Sequence, residues 1–255
     1  MRFRIIALIL SLLAIASAGV VLSKNRRRPK TVSEQRKAVV GASVEAVSPM
    51  MTPTQVDLGT HMRMTALRQP QPGDQERADE VAARARRAIE KYKDYRVALR
   101  EGYKILLPRV PQKMYHFNNV QYYLEAERQF NPEHPTSLLY EKSRGGYELV
   151  GVMYTAPAEL TEEELDERIP LSVAAWHQHV NICLPKGDPL QELFGSGPRF
   201  GLDGSISTRE ECDRAGGQFL PRLLGWMVHL HPYEKTSEAM WSVERQMSPG
   251  TDHAH

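Results

Sequence analysis

The hydrophobic periodicity of this chain changes at Pro108 and Pro111, and the change limits the folds that the chain can adopt. Before the two prolines, apolar side chains recur every three or four residues over 74–103, which predicts one long amphipathic helix. After them, short β-like runs alternate with brief helical stretches. We therefore expect an α+β fold, an antiparallel sheet with a long N-terminal helix and short connecting helices. The predicted strands span 137–142, 147–155, 171–184 and 223–231, and the predicted short helices span 158–169 and 207–215.

Two local motifs sharpen this outline. Arg144-Gly145-Gly146 stands between two β-like runs and predicts a hairpin. Thr161 precedes Glu164 by three residues, which is the spacing of a capping box at the start of a helix.

The N-terminus has the features of an export signal. Arg2 and Arg4 precede an apolar run over residues 5–22, and Ala16-Ser17-Ala18 offers the small residues that signal peptidase accepts. We expect residues 1–23 to be a signal peptide cleaved after Ala18, or else an uncleaved membrane anchor, because about 18 apolar residues just suffice to span a bilayer. The protein is then periplasmic or secreted, or anchored to the membrane by this segment.

The remaining chain divides by composition into three parts. Residues 24–73 are expected to be a largely irregular linker, 74–248 a single α+β domain, and 249–255 a flexible tail. Residues 1–30 contain seven Lys and Arg and no acidic residue, so the rest of the chain has 26 basic and 31 acidic residues. Such a mildly acidic body excludes the electrostatic surface that nucleic acids require.

Cys183 and Cys212 are the two cysteines of the chain. An oxidising compartment favours a disulfide between them, and the alternative is a pair of separate buried thiols. The sequence has no Cys-x-x-Cys motif, which argues against a thioredoxin-like redox role.

Two His-x-His pairs are the main functional signal. His177 and His179 form one pair, and His229 and His231 form the other. In a strand, residues i and i+2 point to the same face and lie about 7 Å apart, so neighbouring strands would bring four imidazoles together. Such a nitrogen-rich site suits a zinc or copper ion, and His116 is a fifth candidate ligand.

Other residues are weaker candidates for the same chemistry. His134 precedes a predicted strand and is expected to reach the edge of the histidine-bearing face. The run His61-Met62-Arg63-Met64 combines imidazole and thioether groups, which together can bind copper, but loop residues packing onto the domain are the favoured interpretation.

A hydrolytic zinc site also needs a carboxylate general base, and Glu234 and Glu133 are the candidates for that catalytic role. The run from His229 to Glu234 resembles the cupin metal motif but is one residue shorter before the glutamate. A cupin-like barrel is therefore a minor alternative fold.

The region from about residue 95 to 234 resembles a group of uncharacterised secreted bacterial proteins. The shared features are a His-aromatic-x-Asn segment, here His116-Phe117-Asn118-Asn119, an Asn-Pro-x-x-Pro segment, here Asn131-Pro132-Glu133-His134-Pro135, and a histidine-rich strand that follows. Further similar segments are 98–103, 138–141 and 149–152. The resemblance implies a secreted domain without implying an activity, and it adds weight to His116, His177 and His179.

Three functions remain open from the sequence. The first is an exported cell-envelope protein that binds a transition metal at the histidines. The second is a binding or structural module without metal, in which the histidines line a polar face. The third is a metal-dependent hydrolase or oxidoreductase. The partner expected in the first case is the metal ion, with membrane contact through residues 5–22.

Overall fold

The computed structural model of the chain describes residues 56–57, 61–108, 111–186 and 198–242. The predicted signal peptide or anchor, most of the predicted linker and the predicted tail lie outside these residues. Within the described ranges, no helix combines the length and the hydrophobicity needed to cross a membrane.

An eight-stranded sheet forms the body of the domain, and every neighbouring pair of strands is antiparallel. The expected α+β fold with an antiparallel sheet is confirmed. In their order across the sheet, the strands are β1 (Val56–Asp57), β2 (Met62–Met64), β7 (His177–Leu184), β8 (Gln218–Leu230), β6 (Gly146–Ala156), β5 (Ser137–Ser143), β4 (Tyr115–Asn118) and β3 (Lys104–Ile105).

Short helices connect the strands. Thr161 and Glu164 form the predicted capping box of one of them. The helices are α1 (Asp74–Ile89), α2 (Tyr95–Arg100), α3 (Val120–Ala126), α4 (Glu162–Arg168), α5 (Arg209–Arg214) and α6 (Ser237–Met240), and a 3-10 turn (Glu90–Lys93) follows α1.

The prediction of one continuous helix over 74–103 is wrong. The α-helix ends at Ile89, a 3-10 turn follows, and Asp94 adopts an extended backbone conformation. The Asp94 carboxylate accepts a hydrogen bond from the backbone N–H of Arg96 and so caps a separate helix, α2. Aspartate competes in this way with the regular helical pattern, and the apolar spacing of three and four residues does not register it.

Two strands lie within segment 24–73, which the sequence predicted to be a largely irregular linker. β2 pairs along its full length with β7, and β1 pairs with β2. The predicted strand over 171–184 begins only at His177, because turns hydrogen-bonded to the Pro170 carbonyl occupy the residues before it. The hairpin around residues 144–146 is confirmed.

The two faces of the sheet differ in character. The helix face packs against α1 through side chains such as Trp226 and Val228 from β8 and Ala85 and Ile89 from the helix, and it holds the main hydrophobic core. The opposite face, here called the histidine face, carries a smaller apolar cluster. Residue parity along the strands assigns each side chain to one face or the other.

The Cys183–Cys212 disulfide is present and joins β7 to α5, with the two Cα atoms 5.6 Å apart. Both cysteines are fully buried, beside Phe200 and Ile206. Gly217 lies against the bridge, since a Cβ there would be 2.5 Å from the Cys183 sulfur. The disulfide therefore serves as a structural link at one end of the β7–β8 pair.

Replacing both Cys183 and Cys212 by serine should lower the free energy of unfolding by about 2–5 kcal/mol, because the bridge closes a loop of 29 residues. Urea denaturation of the protein and the double variant under non-reducing conditions measures the difference. Unfolding curves with equal midpoints and slopes for the original protein and the double variant would contradict a stabilising role for the bridge.

Candidate metal centre

The two His-x-His pairs belong to neighbouring strands. β7 carries His177 and His179, β8 carries His229, and the two strands are paired, with His177 directly opposite Met227. Met227 and His229 are two residues apart on β8, whereas Trp226 and Val228 point into the helix-face core. The imidazoles of both pairs therefore belong to the histidine face.

A bulge in β8 adjusts the register between the pairs. His177 is opposite Met227 and His179 is opposite Leu223, so β8 has two more residues in this interval than β7. Leu224 adopts a positive φ of 63°, and a Cβ on Gly225 would meet the Ala156 carbonyl oxygen at 1.9 Å. Glycine is therefore required where β8 bends beside the site.

His116 lies on the same face as the other imidazoles but belongs to a strand nearer the opposite edge of the sheet. It lies on β4, and β5 and β6 separate it from β8. Neighbouring strands lie about 4.8 Å apart, so three strand spacings put the backbones of His116 and His229 about 14 Å apart. Their ring centres are nevertheless only 6.1 Å apart, so the two side chains lean toward each other over the intervening strands.

Four imidazoles consequently form a continuous row. The ring centres of His179 and His177 are 5.5 Å apart, those of His177 and His229 are 5.1 Å apart, and His116 completes the row beside His229. We call His116, His177, His179 and His229 the histidine cluster. His177 and His229 are fully buried, whereas His116 and His179 are half-buried.

The environment keeps these rings neutral. Burial, together with the smaller effect of the neighbouring rings of His179 and His116, lowers the pKa of His177 to about 3. Burial also lowers the pKa of His116 and of His179 to about 4 and holds that of His229 well below its usual value. Neutral imidazole is the form that binds metal ions, since protonation occupies the lone pair.

His177 is an exception to the rule that buried polar groups are paired. Its side chain is fully buried, and neither ring nitrogen has a hydrogen-bond partner among the residues that the structure describes. A buried polar atom without a partner costs about 1–3 kcal/mol. The central ring of the cluster is thus destabilising unless another group binds it.

Backbone carbonyls orient three of the histidines at the edge of this row. The backbone of Met114 hydrogen-bonds the ring of His116, and that of His61 hydrogen-bonds the ring of His179. His231 Nδ1 donates to the Val150 carbonyl oxygen over 3.1 Å. In metal sites, such a bond fixes the tautomer and directs the second nitrogen toward the ion.

His231 lies close to the cluster but outside the row. It follows the last residue of β8 and packs against Gly151, where a Cβ would come within 2.7 Å of its Nδ1 atom. The His231 ring is close enough to His229 that its charge, when it is protonated, lowers the pKa of His229. Glycine at this position of β6 makes room for the His231 imidazole.

Two other candidates, His134 and Glu133, lie on the helix side of the sheet, away from the cluster. His134 stacks on Tyr122 with ring centres 4.3 Å apart and hydrogen-bonds Glu125, and Tyr122 packs on the helix-face core, so the prediction that His134 reaches the histidine face is wrong. Glu133 forms an ion pair with Arg84 of α1, on the helix side. Glu234 lies in the turn after β8, where its backbone N–H donates to the His231 carbonyl.

Residues from β2 also lie beside the cluster, although the sequence pattern favoured a loop there. Met62 is paired with His179 and Met64 with His177, so the run from His61 to Met64 borders the cluster directly. The His61 ring itself contacts the carbonyl oxygen of Gly204. The adjacency was not readable from the chain, because more than 110 residues separate β2 from β7.

One carboxylate near the site was also missed. The charge of Asp203 acts on His179 and favours its protonated form, although burial outweighs that effect. Asp203 follows a stretch of sequence with no regular pattern, so only the structure indicates its position.

As the side chains stand, no three His, Cys, Asp or Glu groups in the described ranges form a ready-made metal-binding group. The rings of the cluster meet at steep angles, 81° between His177 and His179 and 67° between His177 and His229. No protein-family model, curated protein or solved structure matches this chain.

The lowered pKa values predict an acid-sensitive fold. Well above pH 6.5, the imidazoles are neutral in both the folded and the unfolded protein. Below that pH, the imidazoles of the unfolded chain become protonated, whereas the buried imidazoles of the folded protein stay neutral down to about pH 3–4. Stability should therefore fall as the pH drops from 6.5 toward 4. His177→Gln should reduce that slope by about 1.4 kcal/mol per pH unit, since one proton fewer is taken up on unfolding.

Urea denaturation at several pH values between 6.5 and 4.5, in the presence of a metal chelator, measures both slopes. If the variant keeps the slope of the original protein, His177 is not a neutral buried ring.

Proposed function

We propose that this protein is an exported protein that binds a transition-metal ion, zinc or copper, at the histidine cluster of His116, His177, His179 and His229. The observation that carries the proposal is the state of His177. Its fully buried ring lies between two other imidazoles, and neither of its nitrogens has a partner among the described residues. A metal ion would supply the missing partner.

The spacing of the rings supports this proposal. Imidazoles that share one tetrahedral ion have ring centres about 5 Å apart, because metal–nitrogen bonds are about 2.0–2.1 Å and a ring nitrogen lies about 1.1 Å from the ring centre. The observed separations of 5.1 Å and 5.5 Å around His177 agree with that value. The His116 ring centre lies 6.1 Å from that of His229, so His116 would have to move toward the other rings to share an ion with them.

Ring rotation would bring the nitrogens together. The terminal torsion of a histidine side chain is broad and has no steep staggered wells, so the torsion itself opposes ring rotation only weakly. Unlike His116 and His179, which backbone carbonyls orient, the His177 ring has no hydrogen bond to any described residue that rotation would break. The central ring is thus the easiest to reorient toward an ion.

A binding role fits the described residues better than hydrolysis does. A zinc hydrolase needs a carboxylate general base beside an open coordination position. Glu133 is engaged by Arg84 on the helix side of the sheet. The carboxylates nearest the cluster are Asp203, whose charge acts on His179 at one end of the row, and Glu234 in the turn after His231, whereas the central rings of His177 and His229 interact electrostatically with other histidines. The proposal is therefore metal binding, without an assigned reaction.

His116→Ala, His177→Ala and His229→Ala should each lower the affinity for Zn²⁺ or Cu²⁺ by more than about tenfold, because one ligand of three or four is lost. Isothermal titration at pH 7.5 measures the affinities. His116 is half-buried, so its variant tests the site with the least disturbance of the core.

The matched control is His134→Ala, which removes an imidazole on the other side of the sheet and should leave metal affinity unchanged. A chain that binds neither ion, or a His116→Ala variant that binds as tightly as the original, would show that the histidines are only buried structural residues. Urea denaturation of each variant verifies that it is folded.

Export is part of the same proposal. The Cys183–Cys212 bridge is compatible with an oxidising compartment outside the cytoplasm. Mass spectrometry of the protein from its native cells should reveal loss of residues 1–18, as expected for cleavage after Ala18. A full-length chain in the membrane fraction would support the anchor, and a full-length chain in the cytoplasm would contradict export.

A further inference from the structure

We infer that the ion for which this site is built is monovalent copper, held by methionine sulfur together with the imidazoles. The inference rests on the proposed metal-binding function and specifies its ligand. The observation behind it is that a methionine stands directly opposite three of the cluster histidines in the neighbouring strands.

His177 is flanked by methionines on both sides. Met64 of β2 is its partner across one edge of β7, and Met227 of β8 is its partner across the other. On the remaining strands, Met153 of β6 is opposite His229, and Met62 of β2 is opposite His179. The partner positions come from three separate strand pairings, β2 with β7, β7 with β8 and β6 with β8.

These methionines share the histidine face. Directly opposite residues in an antiparallel pair lie on the same side of the sheet, with Cβ atoms about 4.5–5.5 Å apart. The alternate residues point the other way, since Arg63 donates to Gln178 and its guanidinium lies over the Trp226 ring. Thioether groups therefore surround the row of imidazoles on its own face.

Methionine has the reach and the chemistry for this role. Its three rotatable bonds let the sulfur approach a neighbour across one strand spacing. Thioether sulfur is a soft ligand that selects Cu(I) over Zn²⁺, whereas imidazole accepts both metals. A mixed set of thioethers and imidazoles therefore discriminates between ions that the histidines alone would not separate.

The dry, carboxylate-poor surroundings of His177 and His229 point the same way. Met64, Met153 and Met227 are all at least nine-tenths buried, and the electrostatic partners of the two rings are other imidazoles. Moving a dication into such a site costs far more than moving a monovalent ion, because the desolvation energy rises with the square of the charge. The buried, neutral environment of His177 and His229 therefore favours the ion of lower charge, while Asp203 acts on His179 at the half-buried end of the row.

The competing explanation is packing. Met153 and Met227 also form an apolar cluster with Met114 and Leu139, and leucine would fill that space almost as well. Met→Leu substitution therefore separates the two explanations, because it keeps the apolar volume and removes the sulfur.

The test is the double variant M64L/M227L, which strips both sulfurs from the sides of His177. Cu(I) affinity is measured under nitrogen with ascorbate, by competition with a chromophoric Cu(I) chelator, and Zn²⁺ affinity is measured by competition with a zinc chelator. We expect Cu(I) affinity to fall by at least about tenfold while Zn²⁺ affinity changes by less than about threefold. The matched control is M240L, because Met240 packs against the helix-face core and should affect neither ion.

The outcomes distinguish this inference from the proposed function. If M64L/M227L binds Cu(I) as tightly as the original protein, or loses both ions in parallel, sulfur ligation is overturned while metal binding by the histidines stands. If the original protein binds neither ion, the proposed function itself fails. X-ray absorption at the copper edge provides a second readout that does not need a variant, because a sulfur shell supports the inference and a shell of nitrogen alone refutes it.

Discussion

The antiparallel pairing of β7 with β8 is the constraint on which the remainder of this structure depends. It sets His177 against Met227, brings both His-x-His pairs to one face, and ends beside the buried disulfide. The same pairing includes the β8 bulge, which lies between the partners of His177 and His179 and where Gly225 lies against Ala156. β6 and β2 then pair with the outer edges of this pair, so the strands that carry His177, His179 and His229 lie in the middle of the sheet.

Burial of the imidazoles works against this arrangement. Side chains with hydrogen-bonding atoms, fully removed from water, are less favourable than apolar residues of similar volume, and His177 has no compensating bond among the described residues. The main core on the helix face, with Trp176, Tyr154 and Val228, provides the apolar burial that offsets such a site. Proteins keep locally unfavourable groups chiefly where function requires them.

Local patterns in the sequence predicted the parts of this site that depend on local geometry. The i, i+2 spacing correctly indicated that the histidines of each pair share a face, and the capping box at Thr161 was readable because its members are three residues apart. The approach of His116 to His229 was only a conjecture, since it depends on two intervening strands. The sequence did not predict that the helix is interrupted at Asp94, because a side-chain cap leaves no periodic signal. It also did not predict that β2 pairs with β7, because pairing with a distant strand leaves no signal in the local sequence.

The position of β2 affects whether a shortened form of the chain would associate with itself. β2 covers the edge of β7 that would otherwise expose unpaired backbone groups along a strand with apolar and aromatic neighbours. A chain shortened to begin at Asp74, where the regular helix starts, would uncover that edge. Exposed edges of this kind pair readily with other chains. The segment before the helix therefore protects the domain from self-association, in addition to bordering the histidines.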